Sequence, residues 1–147
     1  MSEHRATVDW KRSGEFRYET YSRSHELRFD GISVPAAAAP ENIPPTAHGP
    51  GGVDPEQAFV ASLSSCHMLW FLHLACQRKW IVERYVDEAV GVLDKTWISK
   101  VTLRPRVSFS GRAPSPEEHA ALHERAHEKC YIANSVKSAV SIEPSIA

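Results

Sequence analysis

From Met68 to Cys76 the chain reads Met-Leu-Trp-Phe-Leu-His-Leu-Ala-Cys, with His73 its one polar residue. Upstream, Asp54-Pro55-Glu56 has the chemistry of a helix start. Asp is a favoured N-cap, Pro suits the first helical position, and an acidic side chain favours the positive end of the helix dipole. A helix beginning there and running through the apolar stretch has roughly 24 residues and spans about 36 Å, the width of a small domain. From Phe59 onward apolar residues cover every face, so the pattern predicts burial on all sides. The rest of the chain must fold around this central helix.

What surrounds it reads mostly as strands. Ala6 to Phe29 mixes aromatic, β-branched and charged residues in short runs, as in Phe16-Arg17-Tyr18-Glu19-Thr20-Tyr21, and predicts two or three exposed antiparallel strands. Asp30-Gly31 is a turn signal. Pro35 to Gly52 holds five prolines, three glycines and a tetra-alanine run, which predicts a long loop, either a lid or partner-binding segment or a simply disordered stretch. After Trp80, Ile81 to Lys95 reads as strand. Val101, Leu103, Pro105, Val107 and Phe109 then alternate with polar residues along a half-buried strand, with Pro105 implying an edge or a bulge. Ser115-Pro116-Glu117-Glu118 opens a second helix to about Lys129, followed by a helical turn and a last strand near Ala139 to Ile142. Strands and helices are grouped, which predicts an α+β fold with a mainly antiparallel sheet packed on helices, in one domain over residues 1–147.

Apolar residues make up 42% of the chain and charged residues 24%, so it is expected to fold as an ordinary globular protein. The 17 basic and 18 acidic side chains form no block that could track a phosphate backbone, which argues against nucleic acid as a partner. The opening Met1-Ser2-Glu3-His4-Arg5-Ala6 lacks the layout of a secretory signal, and the sequence reads as having no segment for spanning a membrane. A cytoplasmic location is expected. Three cysteines there do not make a disulfide framework, which leaves packing, metal binding or redox chemistry as their use.

Cys66 sits mid-helix in Ser62-Leu63-Ser64-Ser65-Cys66-His67, among small neighbours that let other segments approach. A buried thiol acts as a small hydrophobe unless a nearby cation holds it as thiolate. Cys76 lies ten residues along the same helix, about 15 Å away, beyond the roughly 7 Å between Cα atoms that a disulfide tolerates. Any redox couple must therefore join Cys130 to one of these two. Cys76 by itself reads as core, and so do His67 and His73. His119, His123 and His127 recur every four residues on one helical face, a spacing that can chelate a metal. They define an alternative, a metal- or ligand-binding protein without turnover.

Asp54-Pro55-Glu56-Gln57-Ala58-Phe59, Ser65-Cys66-His67, Ala126-His127-Glu128-Lys129-Cys130 and Asn134-Ser135, in this order, resemble the OsmC/Ohr hydroperoxide-reductase family. The resemblance implies an intertwined homodimer with a long buried central helix. It implies a thiol peroxidase in which Cys66 attacks the peroxide and Cys130 resolves the product as a Cys66–Cys130 disulfide. An N-terminal arginine, held by the glutamate at the helix start, would stabilise the thiolate. Glu56 fits that glutamate, and Arg23 is the choice for the arginine over Arg28. Leu69, Trp70 and Phe71 would screen the thiolate and line an apolar pocket for organic hydroperoxides. A small dithiol, a lipoyl group or a thioredoxin-like protein would be the reductant, with no cofactor. The Gly-Gly pair common before the arginine in the Ohr branch is missing, and Tyr131 stands where proline is common after the second cysteine.

Overall fold

The structure, a computed structural model, describes residues 1–147. The chain divides into two compact units, residues 1–58 and 59–147, with the boundary inside the first helix.

In the first unit, β1 (Thr7–Asp9), β2 (His25–Phe29) and β3 (Ile32–Ala36) form an antiparallel sheet in that order. Asp30 and Gly31 both take positive φ, 43° and 88°, which is the two-residue hairpin turn whose twist matches its strands. Phe29 therefore pairs directly with Ile32. Phe16 to Tyr21, expected as strand, instead makes a turn in which Thr20 and Tyr21 donate to the Arg17 carbonyl. Trp10, Phe16 and Tyr21 cluster beside it, with ring centroids 4.9–6.2 Å apart. The aromatic content that suggested a strand serves this small cluster.

The expected loop begins later than Pro35, which lies within β3 and pairs with Glu26. Beyond a short 3-10 turn, Pro40–Asn42, the segment returns along the end of β3. Val53 donates to the Pro35 carbonyl and accepts from the Ala37 N–H. Ala36, Ala37 and Ala39 are buried there. At Gly52 an added Cβ would stand 2.6 Å from the Ala36 backbone, so only glycine fits this close approach.

The first helix, α1 (Pro55–Gln77), starts where the sequence predicts. Asp54 Oδ1 accepts from the Gln57 N–H at 2.7 Å, and Gln57 Oε1 accepts from the Asp54 N–H at 3.1 Å, a reciprocal cap. By length and composition α1 could cross a membrane, contrary to the reading above. In this structure its buried stripe packs in the cores of the second unit.

That unit holds β4 (Ile81–Asp87), β5 (Val90–Asp94), β6 (Trp97–Leu103), β7 (Pro105–Ser110), α2 (Pro116–Lys129), β8 (Ala139–Ile142) and β9 (Ser145–Ile146). They form two sheets, β4-β7-β9 and β5-β6-β8, each an antiparallel pair extended by a parallel C-terminal strand. The single strand read across Lys100 to Phe109 is two strands in different sheets, divided at Arg104. Arg104 donates its N–H to Asp87 Oδ1 at 2.6 Å, and Pro105, having no N–H to give, opens β7. Alternation survives the break because Val101, Leu103, Pro105 and Val107 are all buried.

Each sheet packs against part of α1. Leu63 meets Val101 and Leu103, while Phe71 and Ala75 meet Val107 and, from α2, Leu122 and Ala126. α2 itself begins with a full capping box between Ser115 and Glu118. The buried residues of α1 are Leu63, His67, Phe71 and Ala75, one stripe at four-residue spacing rather than the burial on all sides expected of it. Leu69 is 60% exposed, and Cys76, expected in the core, is exposed as well. The single chain covers only one face of an all-round apolar helix.

Replacing Gly52 with Ala drives a methyl group into the Ala36 backbone, at a cost of about 1–3 kcal/mol. A matching fall in the urea unfolding midpoint, with the slope unchanged, is the expected result.

Candidate functional site

Cys66 and Cys130 come together although 64 positions separate them. α1 presents Cys66 one position before the buried stripe residue His67, half-buried. Cys130 is the C-cap of α2, only 1% exposed, and the chain turns inward around it. Its Sγ accepts the Ala133 N–H at 3.4 Å, and Asn134 Nδ2 donates to the Glu128 carbonyl at 3.0 Å. This ties the corner between α2 and the short turn Ala133–Ser135.

The two thiols are neighbours, close enough for Cys66 to act on the titration of Cys130. Burial pushes the Cys130 thiol up to about 11; the Ala133 N–H works against this, and neighbouring Cys66 adds to it. Cys130 is therefore a neutral thiol at physiological pH. All three cysteines are free.

Cys66 opens onto a cleft of about 270 Å³ lined by Leu69, Trp70, His73 and Tyr131. This is close to the lower end of small-ligand pockets, roughly 300–1,000 Å³, and mostly apolar. Tyr131 stands edge-on to Trp70 at 5.5 Å, His73 does the same at 5.6 Å, and Lys129 Nζ lies 5.2 Å from the Trp70 ring centre. Leu69 and Trp70 thus line the cleft, and Phe71 does not. It is fully buried on the core face of α1, stacked on His123 at 4.2 Å, because one residue along a helix turns the side chain by about 100°. His73, read as core, is exposed and belongs to the cleft, as does Tyr131, which sequence reasoning noted only for replacing a proline.

In the first unit, Arg23 donates to the Tyr21 and Tyr18 carbonyls at 2.7 and 2.8 Å, with its guanidinium 3.5 Å from the Tyr21 ring centre. Its donors go to backbone oxygens and not to Glu56, whose Oε2 is buried without a hydrogen-bond partner. Arg28 lies near the surface and pairs with Asp9 and Glu26 at 2.9 and 3.0 Å, which satisfies its charge.

Between α1 and α2 lies a feature that sequence reasoning did not foresee. His67 Nε2 is 2.9 Å from His123 Nδ1, and His123 Nε2 is 3.2 Å from His119 Nε2, forming a buried line of three imidazoles. All three are nearly inaccessible. The four-residue spacing of His119 and His123 is visible in the sequence, where it fits a solvated helix face or, as the alternative, a metal site. His119, His123 and His127 do not converge with any other side chain as a three-ligand set. His123 is occupied on both nitrogens, and His127 Nδ1 is buried with no partner.

Burial holds these rings neutral. It lowers His67 to about 4, with His127 contributing, and His123 to about 3, with His119 and His67 contributing; His119 is lowered by burial alone. Tyr85, pushed up by burial and by Asp87, also faces His123, with ring centroids 6.4 Å apart.

A family model described as OsmC-like protein matches residues 47–145. Among solved structures, an OsmC-like protein of unknown function from Vibrio cholerae is 46% identical over 99% of this chain and 100% of its own, with a TM-score of 0.91. An organic hydroperoxide resistance protein OsmC from Legionella pneumophila is 21% identical, with a TM-score of 0.62 over 100% of this chain and 99% of its own. The organic hydroperoxide resistance protein OhrB of Bacillus subtilis is 18% identical, with a TM-score of 0.59 over 97% and 98%. The last two share the fold. No protein of curated function matches the chain in sequence.

The histidine line gives stability a defined acid limb. In the unfolded chain these imidazoles titrate near 6.5, and in the fold all three are lowered, His67 and His123 furthest, so the unfolded state binds more protons below pH 6.5. Stability is complete above that pH and falls as pH drops toward 4, by up to about 1.4 kcal/mol per pH unit for each of His67 and His123. Urea unfolding followed from pH 7.5 to 4.5 should show this steep loss; a flat profile would contradict the neutral buried line.

Proposed function

The chain belongs to the OsmC-like family, and from that membership and its paired thiols we propose that it is a thiol-dependent peroxidase acting on organic hydroperoxides. The observation that carries the reading is the juxtaposition of half-buried Cys66, in the lining of an apolar cleft, with buried Cys130.

Cys66 as thiolate attacks one oxygen of the peroxide. An S–O bond forms, the O–O bond breaks, and the alkoxide leaves to take up a proton as the alcohol. Cys66 is then a sulfenic acid. Cys130 attacks that sulfur, the S–S bond forms, and the departing hydroxide takes the Cys130 proton as water. A dithiol donor, small, lipoyl-bearing or thioredoxin-like, reduces the disulfide and leaves as its own disulfide. A resolving thiol near 11 suits this order, since Cys130 stays neutral and unreactive toward peroxide until a sulfenic acid stands beside it.

The apolar cleft favours organic over hydrogen peroxide, because apolar substrate area removed from water adds about 25 cal/mol per Å². Arg23 is assigned the thiolate-holding role and Glu56 the role of orienting it on the strength of the family resemblance. The orphaned Glu56 oxygen is a group awaiting a donor. A homodimer accounts for the face of α1 that the single chain leaves bare, Leu69 included. With no block of like charge to track a phosphate backbone, nucleic acid is not a partner in this proposal, which takes the protein as cytoplasmic and without a membrane partner.

Purified protein with cumene hydroperoxide and dihydrolipoate or dithiothreitol should consume peroxide catalytically. Cys66→Ser should lower turnover by at least about a thousandfold, the loss of a nucleophile, whereas Cys76→Ser should leave it unchanged. Wild-type protein that turns over no organic peroxide with either donor would sink the proposal.

A further inference from the structure

The contacts between α1 and α2 run in opposite chain order: Phe71 with His119 and His123, His67 with His123, Cys66 with Cys130. Most of this interface is apolar, with Phe71 and Ala75 against Leu122 and Ala126. Apolar contact is non-directional, and small alanines tolerate sliding or rotation of one helix on the other. The His67–His123 bond is different. It crosses the interface, it is buried on both sides, and it has one geometry at 2.9 Å. A slip of α2 would leave two imidazole nitrogens unpaired in an apolar layer, which costs far more than shifting alkyl groups.

His67 directly follows Cys66. His123 precedes Cys130 by seven residues, two turns, and so shares its side of α2. We propose that His123 and His67 are positioning residues for the thiol pair, their cross-helix hydrogen bond fixing the register that holds Cys130 against Cys66. His119 extends the line only along its own helix, at i, i+4, and does not set the register. A single buried polar contact specifying the alignment of otherwise apolar helices is a known use of such groups. The inference deepens the thiol-pair reading above and rests on it.

The test measures how strongly Cys130 is presented to Cys66, without peroxide. In protein carrying Cys76→Ser, the equilibrium between the Cys66–Cys130 disulfide and dithiothreitol gives the effective concentration of one thiol toward the other. His123→Phe keeps the stack on Phe71 but removes the bond; the effective concentration should fall by about tenfold or more, the scale of one lost buried hydrogen bond. His123→Asn places an amide where Nδ1 stood, keeping the cross-helix bond and losing the stack. It should stay within about threefold of wild type, although it should be less stable in urea than His123→Phe. His119→Phe should also stay within that range.

The opposite ordering of stability and thiol presentation is what a merely structural histidine would not produce. Wild-type presentation in His123→Phe, or equal losses in His123→Phe and His119→Phe, would overturn the proposal. If His123→Phe does not fold, His67→Leu, which removes the other half of the bond, is judged by the same criterion. If the ordering holds in protein that never turns over peroxide, the register proposal stands and the peroxidase reading falls. If turnover is normal and the ordering fails, only the register proposal is lost.

Discussion

The packing of α1 on α2 determines whether the two thiols of this chain meet at all. Cys66 and Cys130 arrive from different helices, and neither helix holds a thiol partner within its own reach. Their meeting depends on a narrow apolar layer, Phe71 and Ala75 against Leu122 and Ala126, crossed by a hydrogen-bonded line of neutral imidazoles. The cleft beside Cys66 depends on the same packing, since Tyr131 follows directly from the Cys130 corner and Trp70 from the outer side of α1.

Burial acts in two directions within this layer. It keeps His67, His119 and His123 uncharged, so they can sit among apolar groups and bond to one another. It also keeps Cys130 protonated beside its neighbour. Half-buried Cys66 opens on the cleft, while Cys130 is buried. Desolvation is the largest cause of the Cys130 shift, and neighbouring Cys66 adds to it.

Much of the scaffold was legible in the sequence where local chemistry decides structure. Asp54-Pro55, Asp30-Gly31 and Ser115-Pro116 mark helix starts and a hairpin because caps and turns depend on a few adjacent residues, and each stands where it was read. The thiol pair was reached only through resemblance to the OsmC/Ohr family, since spacing alone left Cys66 and Cys76 open as partners for Cys130. Long-range choices were not legible. Nothing local says that the strand through Val101 and Val107 changes sheet at Arg104, because both halves alternate in the same phase. Phe71 and Leu69 look alike in sequence, yet helical rotation sends one to the core and the other to the cleft. The histidines read as a solvated metal face because their burial depends on α1 supplying His67 from 56 residues away.

The central claim is that Cys66 and Cys130 form the redox couple of an organic-peroxide reductase. Peptide mapping after one equivalent of cumene hydroperoxide tests it most directly. The account predicts one intramolecular disulfide, Cys66–Cys130, with Cys76 still free. A Cys76-containing disulfide, or a stably oxidised Cys66 with Cys130 unreacted, would contradict it.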